Sequence, residues 1–214
     1  MENRKIALFD FDGVIVDTEP VYDVYWNEAV ERYGLDIPDF ADLIKGTTME
    51  HIMQEWFSVY PEEFQQRVRR EAEAFERIMP MPLMPGSFEF LKLIRSEGVV
   101  VGLVTSSAQW KIERAFEMYE MKELFDTVVT ADRITAGKPA PMCYLLAASD
   151  LGVSPGQCLV FEDSFAGIAA GNAAGMRVIG LSTSNPAETL KDRVHTVIPN
   201  FEQRTFDDYL EWSK

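Results

Sequence analysis

The sequence predicts an α/β protein in which helices cover a mostly parallel sheet, with a block of helices inserted after the first strand. Three observations predict it. Short apolar runs recur along the chain with helical stretches between them. Some sixty residues after the first run carry no strand signal. The runs end on polar residues, at the sheet edge where open parallel folds place their ligands.

The first run, "IALF" at 6–9, reads as a buried strand and ends directly on "DFDGVIVD". The helical block follows. "EPVYDVYWNEAVERYG" has helical periodicity and closes on Gly34, a residue suited to a helix terminus. "TMEHIMQEWFSVY" and "PEEFQQRVRREAEAFERIM" are helical too, the latter with Pro61 in its first turn. The exit, "MPMPLMPG", places Pro80, Pro82 and Pro85 within six residues and so favours a stiff, extended connector. The expected organisation is a core from residues 1–16 and 83–214 and a helical cap from 17–82. In the core, strands are expected at 99–104, 127–130, 158–161 and 178–181, with helices at 109–118, 142–151 and 165–174. Gly167, Gly171 and Gly175, spaced by four, suit a helix face lying close to the sheet rather than a phosphate loop.

Composition narrows the function. The 214 residues suit one large domain, or a core with a smaller insertion. A formal net charge of -15 disfavours a nucleic-acid partner, and an anionic substrate would have to be captured by local charge. No apolar run is long enough to cross a bilayer, and "MENRKIALFD" lacks the apolar region of a secretory signal. A cytoplasmic protein is therefore expected, with a monomer as the default. Cys143 and Cys158 have no metal-ligand spacing and read as buried thiols, while His51 and His195 are too far apart to suggest a histidine metal site.

The polar residues after the strands supply the chemistry. Asp10, Asp12 and Gly13 follow the first, Thr105, Ser106 and Ser107 the second, and Glu162, Asp163 and Ser164 the fourth, while Lys138 lies in "AGKPAP". A buried carboxylate is costly unless paired or bound to metal. On a phosphate monoester these groups could divide the work. An aspartate attacks phosphorus, and a cation on Asp10 and Asp163 offsets the repulsion, with Glu162 near it. Lys138, Thr105 and the backbone near Ser106 hold the phosphoryl oxygens. Asp12, two residues from Asp10 on an extended chain, can give and take the proton. Gly13 permits the sharp turn that follows. Asp17 lies where the chain enters the cap and is expected to order that hinge.

"DFDGVIVDTEP", "VGLVTSS", "GKPAP" and "VFEDSFAGIAAG" occur in this order and resemble the four motifs of the haloacid dehalogenase superfamily, most closely its β-phosphoglucomutase-like members and their sugar-phosphate phosphatase cousins. The resemblance covers the whole chain. It implies a Rossmann-like three-layer core with a helical cap, Asp10 as nucleophile and Asp12 as general acid/base. It also implies Mg2+ dependence, with Asp10, Asp12, Glu162 and Asp163 at the metal, and Thr105, Ser106 and Lys138 at the phosphate.

Asp12 favours phosphoryl transfer over dehalogenation, since a halide leaving group needs no acid. A mutase would need a second phosphate site in the cap. In the β-phosphoglucomutases an arginine follows a lysine-glycine pair by three residues, and "LIKGTTMEH" has Met49 there. Tyr22 replaces the histidine that follows their first motif. A thioether cannot bind phosphate, so a phosphatase of small sugar phosphates is expected, with a phosphosugar mutase as the alternative. Lys45, Tyr22 and Thr18 are the candidate substrate contacts. A third alternative is a non-catalytic small-molecule-binding protein that keeps the fold, since fold alone does not establish activity. No catalytic position is substituted here.

Overall fold

The computed structural model describes residues 6–214. Residues 1–5, where the expected core range and the segment read against a secretory signal both begin, lie outside it. Six strands form one parallel sheet in the order β3-β2-β1-β4-β5-β6: β1 (Ile6–Phe9), β2 (Val100–Val104), β3 (Thr127–Val129), β4 (Cys158–Glu162), β5 (Arg177–Leu181) and β6 (Thr196–Ile198). The five expected strands are present. The sixth was not foreseen; its three residues sit between His195 and Pro199, and the first two are only partly buried. β4 also runs one residue further than expected, since Glu162 still pairs with Gly180 of β5.

Both faces of the sheet are buried, which is why its strands read as apolar runs without alternation. Ala7, Phe9, Val101, Leu103, Leu159, Phe161, Ile179 and Leu181 face one cluster. Ile6, Leu8, Val104, Cys158, Val160 and Val178 face the other. Helices α5 (Ser87–Ser96), α6 (Gln109–Tyr119) and α10 (Phe206–Trp212) cover the first face, and α7 (Met142–Asp150), α8 (Phe165–Ala173) and α9 (Ala187–Leu190) the second. The result is the three-layer Rossmann-like arrangement. Phe9 stacks on Phe161 at 4.5 Å between ring centroids, with Phe90, Phe201 and Trp212 around them, directly beneath the polar end of β1. Cys143 and Cys158 are free and buried in the second cluster. α8 approaches the sheet closely at two of its glycines. A Cβ on Gly171 would lie 2.8 Å from Val178 and one on Gly167 would meet the Glu162 carboxylate, whereas Gly175 faces open space and serves the turn after the helix.

Between β1 and α5 stand α1 (Glu19–Arg32), α2 (Phe40–Ile44), α3 (Met49–Ile52), which continues as a π-helical stretch over Met53–Phe57, and α4 (Glu62–Glu76). They close around an apolar cluster of their own, with Trp26, Phe40, Phe57, Val68 and Ala72 at its centre. Two antiparallel crossings join this unit to the sheet. Val16 bridges Leu83, the Asp17 N–H donates to the Pro82 carbonyl at 2.8 Å, and the Met84 N–H donates to the Ile15 carbonyl at 2.8 Å. Pro82 has no N–H to leave unpaired and contributes only its carbonyl, so the proline-rich exit can still pair. Among the described residues no helix is long and apolar enough to cross a membrane.

Candidate active site

Strand register brings the polar ends together. Phe9 is level with Leu103 of β2 and Phe161 of β4, so Asp10, Thr105 and Asp163 emerge at one edge. The chain leaves β1 in one direction to β2 and in the other to β4, and the crevice opens at that divide. Lys138 reaches into it, only 1% exposed. Its ammonium donates to Asp10 Oδ1 at 2.7 Å and also bonds Glu162 Oε1. Burial alone would push Lys138 down, but the charges of Asp10 and Glu162 outweigh it and hold it well above the ordinary lysine value. Glu162 is fully engaged. Its Oε1 accepts from Lys138 and Tyr144, and its Oε2 accepts from the N–H of Asp163, the N–H of Ser164 and the Ser164 hydroxyl.

Asp10, Glu162 and Asp163 offer ligand oxygens all within 4.8 Å of one another. Asp163 Oδ1 is buried with no hydrogen-bond partner, while Oδ2 accepts from Ser184. Burial, joined by the charges of Glu162 and Asp12, overcomes Lys138 and pushes Asp10 up to about 7. Burial and the neighbouring carboxylates push Asp163 well above the usual carboxylate range. Crowded carboxylates of this kind lack a positive charge. The donors are all oxygen, one of them stands free, and the set suits a hard divalent cation. Gly13, at φ +74°, keeps the space beside Asp163 clear; a Cβ there would fall 2.0 Å from Asp163 Oδ2.

Asp12 turns to a different set of partners and is not in that group of three. It accepts from Lys111 Nζ at 2.7 and 2.8 Å, from Ser107 Oγ at 2.7 Å and from Thr18 Oγ1 at 2.5 Å. Burial would raise its pKa, but the charge and hydrogen bonds of Lys111 win, with Thr18 and Ser107, and hold it below the usual carboxylate range. Two aspartates on one strand end thus have their proton affinities driven apart, Asp10 upward by burial and Asp12 downward beside Lys111.

The chain matches the haloacid dehalogenase-like hydrolase family over residues 7–181. It belongs to that family. It is 31% identical over 180 residues to hexitol phosphatase B of Escherichia coli K12, covering 81% of each chain. It is 30% identical over 197 residues to β-phosphoglucomutase of Bacillus subtilis, covering 85% of each. A solved HAD hydrolase of family IA, variant 3, from Entamoeba histolytica superposes with a TM-score of 0.81 at 25% identity, over 97% of this chain and 98% of that one.

In this haloacid dehalogenase-like hydrolase the helical cap roofs the crevice and encloses a cavity of about 730 Å³. Asp10, Asp12, Thr105, Ser106, Asp163, Tyr22 and Lys45 line it. The loop at 45–48 rests on the core. Ser106 Oγ donates to the Gly46 carbonyl at 2.8 Å, and Gly46 and Gly137 lie so close to Ser164 and Thr48 that neither has room for a Cβ. Thr105 is buried and accepts from the Ser107 N–H at 3.0 Å. Thr18, named as a substrate contact, spends its hydroxyl on Asp12 instead. Tyr22 donates to Glu76 at 2.6 Å and accepts from Lys111 at 2.7 Å. Lys45 is paired with Asp23 at 2.9 Å and Asp42 at 2.7 Å. Glu162 and Lys138 do not line the cavity and act from beneath it.

Sequence reasoning missed Lys111, Glu19 and Tyr144, and placed Ser107 at the strand end without giving it a partner. Lys111 had a signal. It belongs to the buried stripe of α6 with Ile112, Ala115 and Phe116, where a lysine needs a buried anion to be tolerated.

Proposed function

We propose that the chain is a Mg2+-dependent phosphatase of small sugar phosphates that works through an aspartyl-phosphate. One observation carries this reading: Asp10, Glu162 and Asp163 converge with Lys138 at one strand end, and Asp10 and Asp12 both line the cavity above it. Asp10, Asp163 and the surrounding cluster would hold Mg2+, which supplies positive charge against the phosphate dianion. Asp10 attacks phosphorus. The bond from phosphorus to the ester oxygen breaks, and Asp12, which takes up a proton as the phosphate dianion enters beside it, delivers that proton to the departing alkoxide. Asp12 then takes a proton from the water that attacks the aspartyl-phosphate, and inorganic phosphate is released. Lys138 and the Thr105 hydroxyl flank the phosphoryl position, with Glu162 keeping Lys138 in place. The roof of the cap excludes bulk water during both steps.

The cap end of the cavity bears on substrate. Glu19, Glu73 and Glu76 line it with Trp26 and Trp110. Carboxyl groups there suit a polyol, whose hydroxyls they can bond, and offer no positive charge to a second anionic group. The cations at that end are committed already: Lys45 to two aspartates and Arg69 to Glu50 by two hydrogen bonds. With Met49 also in the cavity wall, this favours a monophosphatase over a mutase that must seat a bisphosphate. The paired crossings at Val16 and Leu83 support dividing the chain into a core up to residue 16 and from 83, and a cap from 17–82. The reading takes the chain as a cytoplasmic monomer.

The test is phosphate release from a panel of hexitol phosphates, hexose phosphates and p-nitrophenyl phosphate, with Mg2+ and with chelator. Turnover of an alkyl phosphate that chelator abolishes is expected. Efficient conversion of β-glucose 1-phosphate to glucose 6-phosphate without free phosphate, given the bisphosphate activator, would overturn it in favour of a mutase.

A further inference from the structure

We propose that Lys111 is a positioning residue for Asp12 and that Tyr22 ties this positioning to the seating of the cap. The proposal rests on Asp12 being the general acid/base of a phosphatase. Lys111 is 0% exposed, and its ammonium is surrounded by acceptors that use all of its capacity. It meets both oxygens of Asp12, the Ser107 hydroxyl at 3.0 Å and the Tyr22 hydroxyl at 2.7 Å.

The direction of each hydrogen bond follows from the groups. An ammonium has only donors. Tyr22 therefore accepts from Lys111, and its own proton goes to Glu76. Ser107 accepts from Lys111, and its proton goes to Asp12. Asp12 is left with Lys111, Ser107 and Thr18 around its carboxylate, so its rotamer is fixed by groups outside β1. General acid catalysis requires a donor held within hydrogen-bond reach of the leaving oxygen. Lys111 is the group that holds this one.

The network also crosses the two units. Lys111 and Ser107 belong to the core, whereas Tyr22 on α1 and Glu76 on α4 belong to the cap. Tyr22 meets Lys111 where the cap's exit packs on α6, so the way the cap seats on that helix sets the contact. A lysine with only a structural role would stabilise the fold without regard to the leaving group.

That difference is the test. The variants are Lys111→Met and the milder Tyr22→Phe, which keeps the ring contact with Phe75. Each is assayed for kcat/KM on the fastest alkyl phosphate of the panel above and on p-nitrophenyl phosphate, whose phenolate departs without an acid. For Lys111→Met the alkyl ester is expected to lose on the order of 100-fold more than the aryl ester, the scale of a misplaced general acid. Tyr22→Phe is expected to show the same selective loss at about 3-fold to 10-fold. Equal losses on both esters, or none, in folded Tyr22→Phe and Lys111→Met would overturn the proposal. If Lys111→Met does not fold, Tyr22→Phe decides alone. Wild-type protein that cleaves neither ester would instead overturn the phosphatase reading beneath it.

Discussion

Asp10 and Asp12 stand two positions apart on one strand and answer to different lysines, one arriving from the loop after β3 and the other from α6. The aspartate pair was legible in the sequence, because two carboxylates closing an apolar run have few bland explanations. Lys138 was legible through its glycine and proline neighbours. Lys111 carried only the fainter signal of its place in the apolar stripe of α6, easily passed over because a lysine on a helix usually faces water. Asp10→Asn, nearly the same in shape, should lower turnover by at least about 10³-fold with an unchanged circular dichroism spectrum, on the scale seen when a nucleophile is removed; turnover that persists would remove Asp10 from that role. Glu19 gives a prediction about stability. Burial, with the charge of Asp12 beside it, raises Glu19 from 4.5 to about 8. The folded state therefore keeps a proton between those values that the unfolded chain has released, and this contribution to stability is lost as pH rises through about 8. Glu19→Gln should raise the Tm clearly above wild type at pH 8.5 and hardly at all at pH 4, as read by thermal melts across the pH range.

Among the elements, α8 shows how closely backbone and site are matched. Gly167 lies against the Glu162 carboxylate, which in turn anchors Lys138. Gly167→Ala should destabilise the fold by about 1–3 kcal/mol through overpacking, a fall in Tm of roughly 2–4 °C per kcal/mol for a chain of this size. Activity should fall with it as Glu162 shifts, and an unchanged melt would mean that the helix backs away freely. The strands from β1 to β5 were legible, because burial on both faces leaves few polar gaps. β6 was not, because it owes its place to pairing with β5 rather than to its own composition. The cap helices were legible as helices, but the π-helical continuation at Met53–Phe57 was not, since one extra residue in a turn leaves the apolar pattern unchanged.

At the scale of the whole molecule the cap supplies the roof and carboxylates, while the core supplies the reacting groups. Lys45 was legible as a candidate cation of the cap, yet its neutralisation by Asp23 and Asp42 depends on how α1 and α2 pack. A hexose monophosphate should accordingly be hydrolysed with kcat/KM at least about 10-fold above that of the matching bisphosphate, the difference made by one uncompensated charge. Asp23→Asn with Asp42→Asn should unmask Lys45 and lower KM for the bisphosphate; competition between the two esters checks both. The contacts of α6 with the cap's exit have a mechanical consequence. Arg114 bonds the carbonyls of Glu76 and Met79, and Tyr119 bonds that of Met81, whereas among the described residues the far rim at 45–48 bonds the core through one hydrogen bond, from Ser106 to Gly46. The cap is hung like a door, with its hinge post on α6 and its free lip at 45–48. Ligands should pass beneath that lip, and a bond placed there would act as a latch with the greatest leverage over the doorway.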